Sequence, residues 1–184
     1  MNNLVNILSM VGTEKTLIIA CGEYGLNKYV ECNDRIVIYA LPDGMLQAYN
    51  SLEKRRIQYF IESSKCTQVV IVGSVEEHLV HRLIGNESNL SPAALLKFNL
   101  KVFLRNRDVE VLPDGLRDQI LVEQHIISQC NLLMEYYFIR DRVENKQLQI
   151  KGFVIDQTEE NLKPIFSNGI IYNDIIFCCS NRKC

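Results

Sequence analysis

The chain lacks the short signatures that most often reveal chemistry. Its 184 residues hold no C-x-x-C pair, so a zinc ribbon or thioredoxin-type site has no support. There is no G-x-x-x-x-G-K-S/T phosphate loop, no G-x-G-x-x-G dinucleotide turn and no G-x-S-x-G hydrolase elbow. No apolar run reaches the ~18–20 residues that a membrane-spanning helix needs. Neither sign of charge dominates: 20 Lys and Arg face 22 Asp and Glu, a net charge of −2. Nothing in that balance favours nucleic acid or an anionic membrane as partner. The nearest approach to a basic cluster, Lys54-Arg55-Arg56, reads as the solvated face of a helix. No repeat, low-complexity tract or linker divides the chain, and the expectation is a single domain over residues 1–184.

What is present begins with seven cysteines: Cys21, Cys32, Cys66, Cys130, Cys178, Cys179 and Cys184. The odd number, with no basic residue ahead of the apolar N-terminal stretch, points to free thiols in a reducing compartment, and the expected location is cytoplasmic. Cys178, Cys179 and Cys184 have no histidine near them in sequence and read as tail thiols.

Three short β-branched runs, Thr16 to Ala20, Arg35 to Tyr39 and Gln68 to Val72, are apolar without alternation. Such runs suit strands buried on both faces of a parallel sheet. Leu148 to Ile155 is a fourth. Helical patterns lie between them: Met45 to Ser63, Glu76 to Leu83, and a long stretch from Leu116 to Arg142 broken near Met134 to Tyr137. Leu41-Pro42-Asp43-Gly44 and Leu112-Pro113-Asp114-Gly115 read as turns. Ile165 to Phe177 supplies one or two edge strands around Ser167-Asn168-Gly169. The expected class is therefore α/β, a mainly parallel sheet of about four or five strands flanked by helices.

The segment Ser128 to Asp156 carries a more specific pattern. A helix with Gln129, Leu132, Leu133, Ile139 and Val143 leads through a polar break to a strand holding Leu148, Ile150, Gly152 and Asp156. Order and spacing resemble the C-terminal part of the beta-class carbonic anhydrase fold, and the resemblance extends over Thr16 to Asp156. In that family the first strand ends in C-x-D-x-R, whose Cys is a zinc ligand and whose Asp and Arg form a gating pair. Here the strand ends Cys21-Gly22-Glu23-Tyr24-Gly25: Cys21 holds the ligand position, Glu23 takes the Asp position, and Gly25 replaces the Arg. The third strand of the family ends in G-H-x-x-C-G, the source of the other two ligands. Here the segment is Gly73-Ser74-Val75-Glu76-Glu77-His78, with Ser74 for the His and Glu77 for the Cys. A serine hydroxyl is a poor zinc ligand beside thiolate or imidazole.

The resemblance thus implies a divergent carbonic anhydrase-like protein that has lost its usual zinc ligands. Its expected role is binding or regulation, without efficient carbon dioxide hydration. No cofactor is expected; zinc is the alternative. The implied ligand cleft is Cys21, Ser74 and Glu77, with Glu23 as a candidate general base and a small molecule as occupant. The competing reading is an active carbonic anhydrase with a rearranged site on Cys21, Glu77 and His78 or His81, since Glu77 and His81 lie at i, i+4 on a helix. Plainer readings stand beside these. Cys21 also suits a buried position closing a strand, Glu23 a solvated loop, and Glu76 and Glu77 the first turn of a helix, whose dipole they favour. His125 on the long helix reads as structural or surface. The family scaffold implies a homodimer; the apolar tail Ile170 to Phe177 is the candidate edge.

Overall fold

A computed structural model of the chain describes residues 12–21, 34–41, 45–46, 50–74, 114–156 and 161–172. Within them, six strands form one sheet in the order β2-β1-β3-β4-β5-β6. They are β1 (Thr16–Ala20), β2 (Ile36–Ala40), β3 (Gln68–Ser74), β4 (Gln149–Asp156), β5 (Asn161–Ser167) and β6 (Ile170–Ile171). The first four are mutually parallel, with Leu17 aligned to Val37 and Val69, and Val69 to Ile150. β5 and β6 add an antiparallel hairpin. Its turn is Asn168-Gly169, both with positive φ, 46° and 90°, which an Asn-Gly pair adopts with little strain.

The lack of alternation in the strands follows from burial on both faces. Leu17, Ile19, Val69 and Ile71 belong to one core cluster, and Ile18, Ala20, Val70 and Val72 to another. The first cluster takes in the buried face of α1 (Ser51–Ser63), through Ile57 and Ile61, and of α2 (Asp114–Glu135), through Ile126, Ile127, Cys130 and Leu133. A short α3 (Tyr137–Glu144) adds Ile139.

The four expected parallel strands are found within one or two residues, the edge strand expected from Ile165 begins at Asn161, and the sheet has six strands where about four or five are expected. Two helix boundaries differ. The helix expected from Met45 begins at Ser51, because the Oδ1 of Asn50 accepts hydrogen bonds from the backbone N–H groups of Leu52 and Glu53 and so caps the helix there. Met45 and Leu46 are buried without being helical. Asp114 and Gly115, expected in a turn, are the first residues of α2. The long helical stretch breaks at Tyr136, inside the interval expected, where ψ of 117° interrupts the helix. The expected helix at 76–83 and the tail beyond 172 lie outside the described residues.

Gly152 shows how closely α2 sits on the sheet. A Cβ at this position would lie 2.9 Å from Cys130 Sγ, 3.0 Å from Ile126 Cγ2 and 3.1 Å from Phe166 Cβ. The glycine is there for space, because its φ is not among the positive values.

Candidate ligand cleft at the strand ends

The chemistry-bearing positions stand where the parallel strands finish, the side of an open α/β sheet on which ligands bind. Three of those ends are tied together by backbone. The N–H of Cys21 donates to Val72 O at 2.9 Å, and that of Leu41 to Ala20 O at 3.1 Å. Ala20 is aligned with Val72, so Cys21 follows directly beside Gly73, and Ser74 closes β3 one residue later. Ser74 is in turn aligned with Ile155 on β4. The structure thus brings Cys21 and Ser74 to adjacent strand ends. Both are buried, and Cys21 joins the helix-side core cluster that also holds Leu41, Met45 and Leu46. Glu23, Gly25, Glu77, His78 and His81 lie outside the described residues.

The two described positions offer one sulfur and one neutral hydroxyl, and a hydroxyl is a poor zinc ligand beside thiolate or imidazole. Among the described residues no group of three or more His, Cys, Asp or Glu is placed to hold a metal ion. His125 is a buried residue of α2, in line with a structural role. Gln129, also on α2, ties the helix to the segment leaving β2, because its Oε1 accepts the buried N–H of Leu46 at 2.5 Å.

Two buried acids are not evident from the sequence pattern. Glu123, fully buried on α2, accepts from Lys163 Nζ of β5 at 2.8 Å and from Gln119 Nε2 at 3.0 Å. Glu53 is buried on the face of α1 that carries Ile57 and Ile61. The available signal is a carboxylate within each apolar stripe: Glu123 falls three residues from both Ile120 and Ile126, and Glu53 four from Ile57, all on one helix face. Glu53 lies near Tyr136, whose phenol is pushed up to about 12 by burial first, then by the negative charges of Glu53 and Glu135. Lys54 Nζ stands 5.0 Å above the Tyr136 ring, a cation–π arrangement.

No family model matches the chain, and no curated protein matches its sequence. Solved structures do. A wild-type beta-carbonic anhydrase, CafD, of the filamentous fungus Aspergillus fumigatus superposes with a TM-score of 0.71 at 22% identity, over 83% of this chain and 90% of its own. A beta-carbonic anhydrase of Coccomyxa in complex with acetazolamide gives 0.68 at 11% identity, over 100% and 90%. One of two tetrameric beta-carbonic anhydrases of Sordaria macrospora gives 0.69 at 12%, over 88% and 85%. The fold is that of the beta-carbonic anhydrases. The parallel order β2-β1-β3-β4 and its flanking helices make up this beta-carbonic anhydrase-like scaffold. At these identities the likeness is one of architecture.

Proposed function

We propose that this chain is a beta-carbonic anhydrase-like scaffold whose usual zinc centre is lost, and that it acts as a cytoplasmic binding or regulatory homodimer without efficient carbon dioxide hydration. The observation that carries the reading is Ser74. It stands buried at the end of β3, next to the strand end that bears Cys21, where the family pattern calls for a histidine. One thiol and one hydroxyl lower the pKa of bound water far less than a three-ligand zinc centre, which brings it to about 7. A small molecule taken up at the cleft of Cys21, Ser74 and Glu77 would meet hydrogen-bonding groups in place of a Lewis acid. Exposed Ile170, Ile171 and Tyr172 at the last described strand support the homodimer, because an apolar sheet edge favours pairing.

Elemental analysis of protein purified without chelator, with stopped-flow carbon dioxide hydration, tests the reading. The expected result is zinc far below one atom per chain and hydration at background. Ser74→His combined with Glu77→Cys should raise zinc content. Near-stoichiometric zinc with clear hydration in the unaltered protein would refute the proposal and transfer the site to Cys21, Glu77 and His78 or His81. Sedimentation equilibrium checks the dimer; a monomer at all concentrations would remove it.

A further inference from the structure

The outer face of α1 carries a pattern that the interior does not explain. Leu52 and Tyr59 are 58% and 66% exposed. They are seven residues apart, two helical turns and about 10 Å along one line of the surface. Arg55 and Arg56 are exposed between them, and at about 100° per residue they fall on opposite sides of that line. The result is an apolar and aromatic ridge flanked by two guanidinium groups. Neither arginine makes an ion pair among the described residues: Glu62, the exposed acid of α1, is bonded to Arg142 of α3 at 3.5 Å and to Gln58 at 3.0 Å. Tyr and Arg are residues enriched at interface anchors, and the exposed Leu52 extends the apolar part of the ridge.

We propose that this face of α1 is a docking surface for an acidic, amphipathic protein segment, whose carboxylates engage Arg55 and Arg56 while its apolar side chains cover Leu52 and Tyr59. Charge decides among the occupants. A second copy meeting this face about a two-fold axis through the ridge would crowd four guanidinium groups together with no free carboxylate on the ridge to pair them, because Glu62 is bonded to Arg142 and Gln58. A broad anionic surface, membrane or nucleic acid, would extend past the ridge to the neighbouring α3, where the exposed Asp141 and Glu144 offset the exposed Arg140. It would meet them in a chain whose net charge is −2. A narrow acidic segment lying along the ridge avoids both penalties, and arginine binds carboxylates in a bidentate fork. The ridge spans a helix of 13 residues, about 20 Å, short of the ~800 Å² per partner of a standard interface. The contact is therefore weak, transient and sensitive to salt.

The experiment uses the full chain and a short fluorescein-labelled peptide rich in Glu, with Leu and Phe at i, i+4 spacing, in fluorescence anisotropy at low and high salt. Arg55→Glu with Arg56→Glu, and separately Leu52→Ser with Tyr59→Ser, should each weaken binding about tenfold or more. Lys65→Glu with Lys146→Glu, an equal change of net charge at exposed positions off the ridge, should leave it within about twofold; the ~8–10 Å screening length in ordinary buffer confines the effect to nearby charges. Circular dichroism melts confirm that each variant is folded. No binding, or equal loss with the off-ridge pair, would overturn the proposal. So would tighter binding to phosphatidylserine vesicles or single-stranded DNA, or a change of oligomeric state in the Arg55/Arg56 variant, which would make the face an interface between copies.

Discussion

Gly152→Ala is the most direct test of how the helices sit on the sheet. The added methyl would meet three atoms at 2.9, 3.0 and 3.1 Å, where carbon contacts are comfortable at about 3.5–4.0 Å. The three neighbours differ in how far they can yield. Cys130 Sγ can rotate, although its side chain is enclosed in the core. Ile126 Cγ2 belongs to a β-branched side chain with one strongly preferred rotamer in a helix. Phe166 Cβ is bound to the backbone of β5, directly opposite Gly152 in the register. Relief therefore requires α2 to lift from β4 and β5, which is the ordinary overpacking penalty of about 1–3 kcal/mol. The loss of glycine's freedom in the unfolded chain offsets about 0.4–1 kcal/mol of it. The net expectation is about 1–2 kcal/mol, and at 2–4 °C per kcal/mol for a chain of this size the melting temperature falls by about 2–8 °C. Urea denaturation followed by circular dichroism reads it. Pairing the change with Cys130→Ala, which removes the nearest contact, should recover at least about 0.5 kcal/mol relative to the sum of the single variants. Unaltered stability in Gly152→Ala, or strict additivity with Cys130→Ala, would refute the close-packing argument.

Three further outcomes follow from the interior. Gln129→Leu strands the buried N–H of Leu46 and should cost about 1–3 kcal/mol in a urea melt, whereas Gln129→Glu, which keeps an acceptor oxygen, should cost less. Burial pushes the Cys130 thiol up from its ordinary value of 9.0, so it stays protonated in the fold and ionises on unfolding; the stability it contributes is intact below pH 9 and declines above it, by at most about 1.4 kcal/mol per pH unit. Cys130→Ala should flatten the alkaline limb of a pH–stability curve, and an unchanged slope would contradict this. Cys21→Ser should alter neither zinc content by elemental analysis nor the stopped-flow hydration rate, and a loss of either would identify Cys21 as a metal ligand.

The parts of the fold legible in the sequence are those with one dominant physical cause. Thr16–Ala20 and Gln68–Ser74 are readable because a strand covered on both faces needs an unbroken apolar run. Met45 and Leu46 continue the helical spacing of α1 backwards and hide its start, although Asn50 followed by Glu53 carries the capping signal. β5 is expected from Ile165 and begins at Asn161, because Pro164 argues against a strand interior. The chain tolerates it there because β6 reaches only Phe166 and Ser167, leaving that outer stretch of β5 as an edge among the described residues. At the candidate site, the identities of Cys21 and Ser74 are legible in the sequence, and their adjacency only through the family resemblance, which makes the ends of β1 and β3 neighbours. The burial of Glu53 and Glu123 is not, because a carboxylate inside a helix reads as solvated until its partners are known. For Glu123 those include Lys163, 40 residues away in sequence.

The placement of Cys21 and Ser74 also bears on how this scaffold separates the alignment of its strands from the chemistry at their ends. The alignment of β1 with β3 is fixed by Thr16 to Ala20 against Gln68 to Val72, and that of α2 with β4 by the space at Gly152. Cys21 lies beyond the last aligned pair of β1, and Ser74 is the terminal residue of β3. Neither position is among the pairs that align β1 with β3, although both side chains are buried and Cys21 packs in the helix-side cluster. Selection on folding therefore acts on the strand interiors, and selection on chemistry on the residues just past them. The same separation means that stability measurements alone would not distinguish a metal enzyme from a binding protein on this fold; only metal content, hydration and ligand uptake at the strand ends do so.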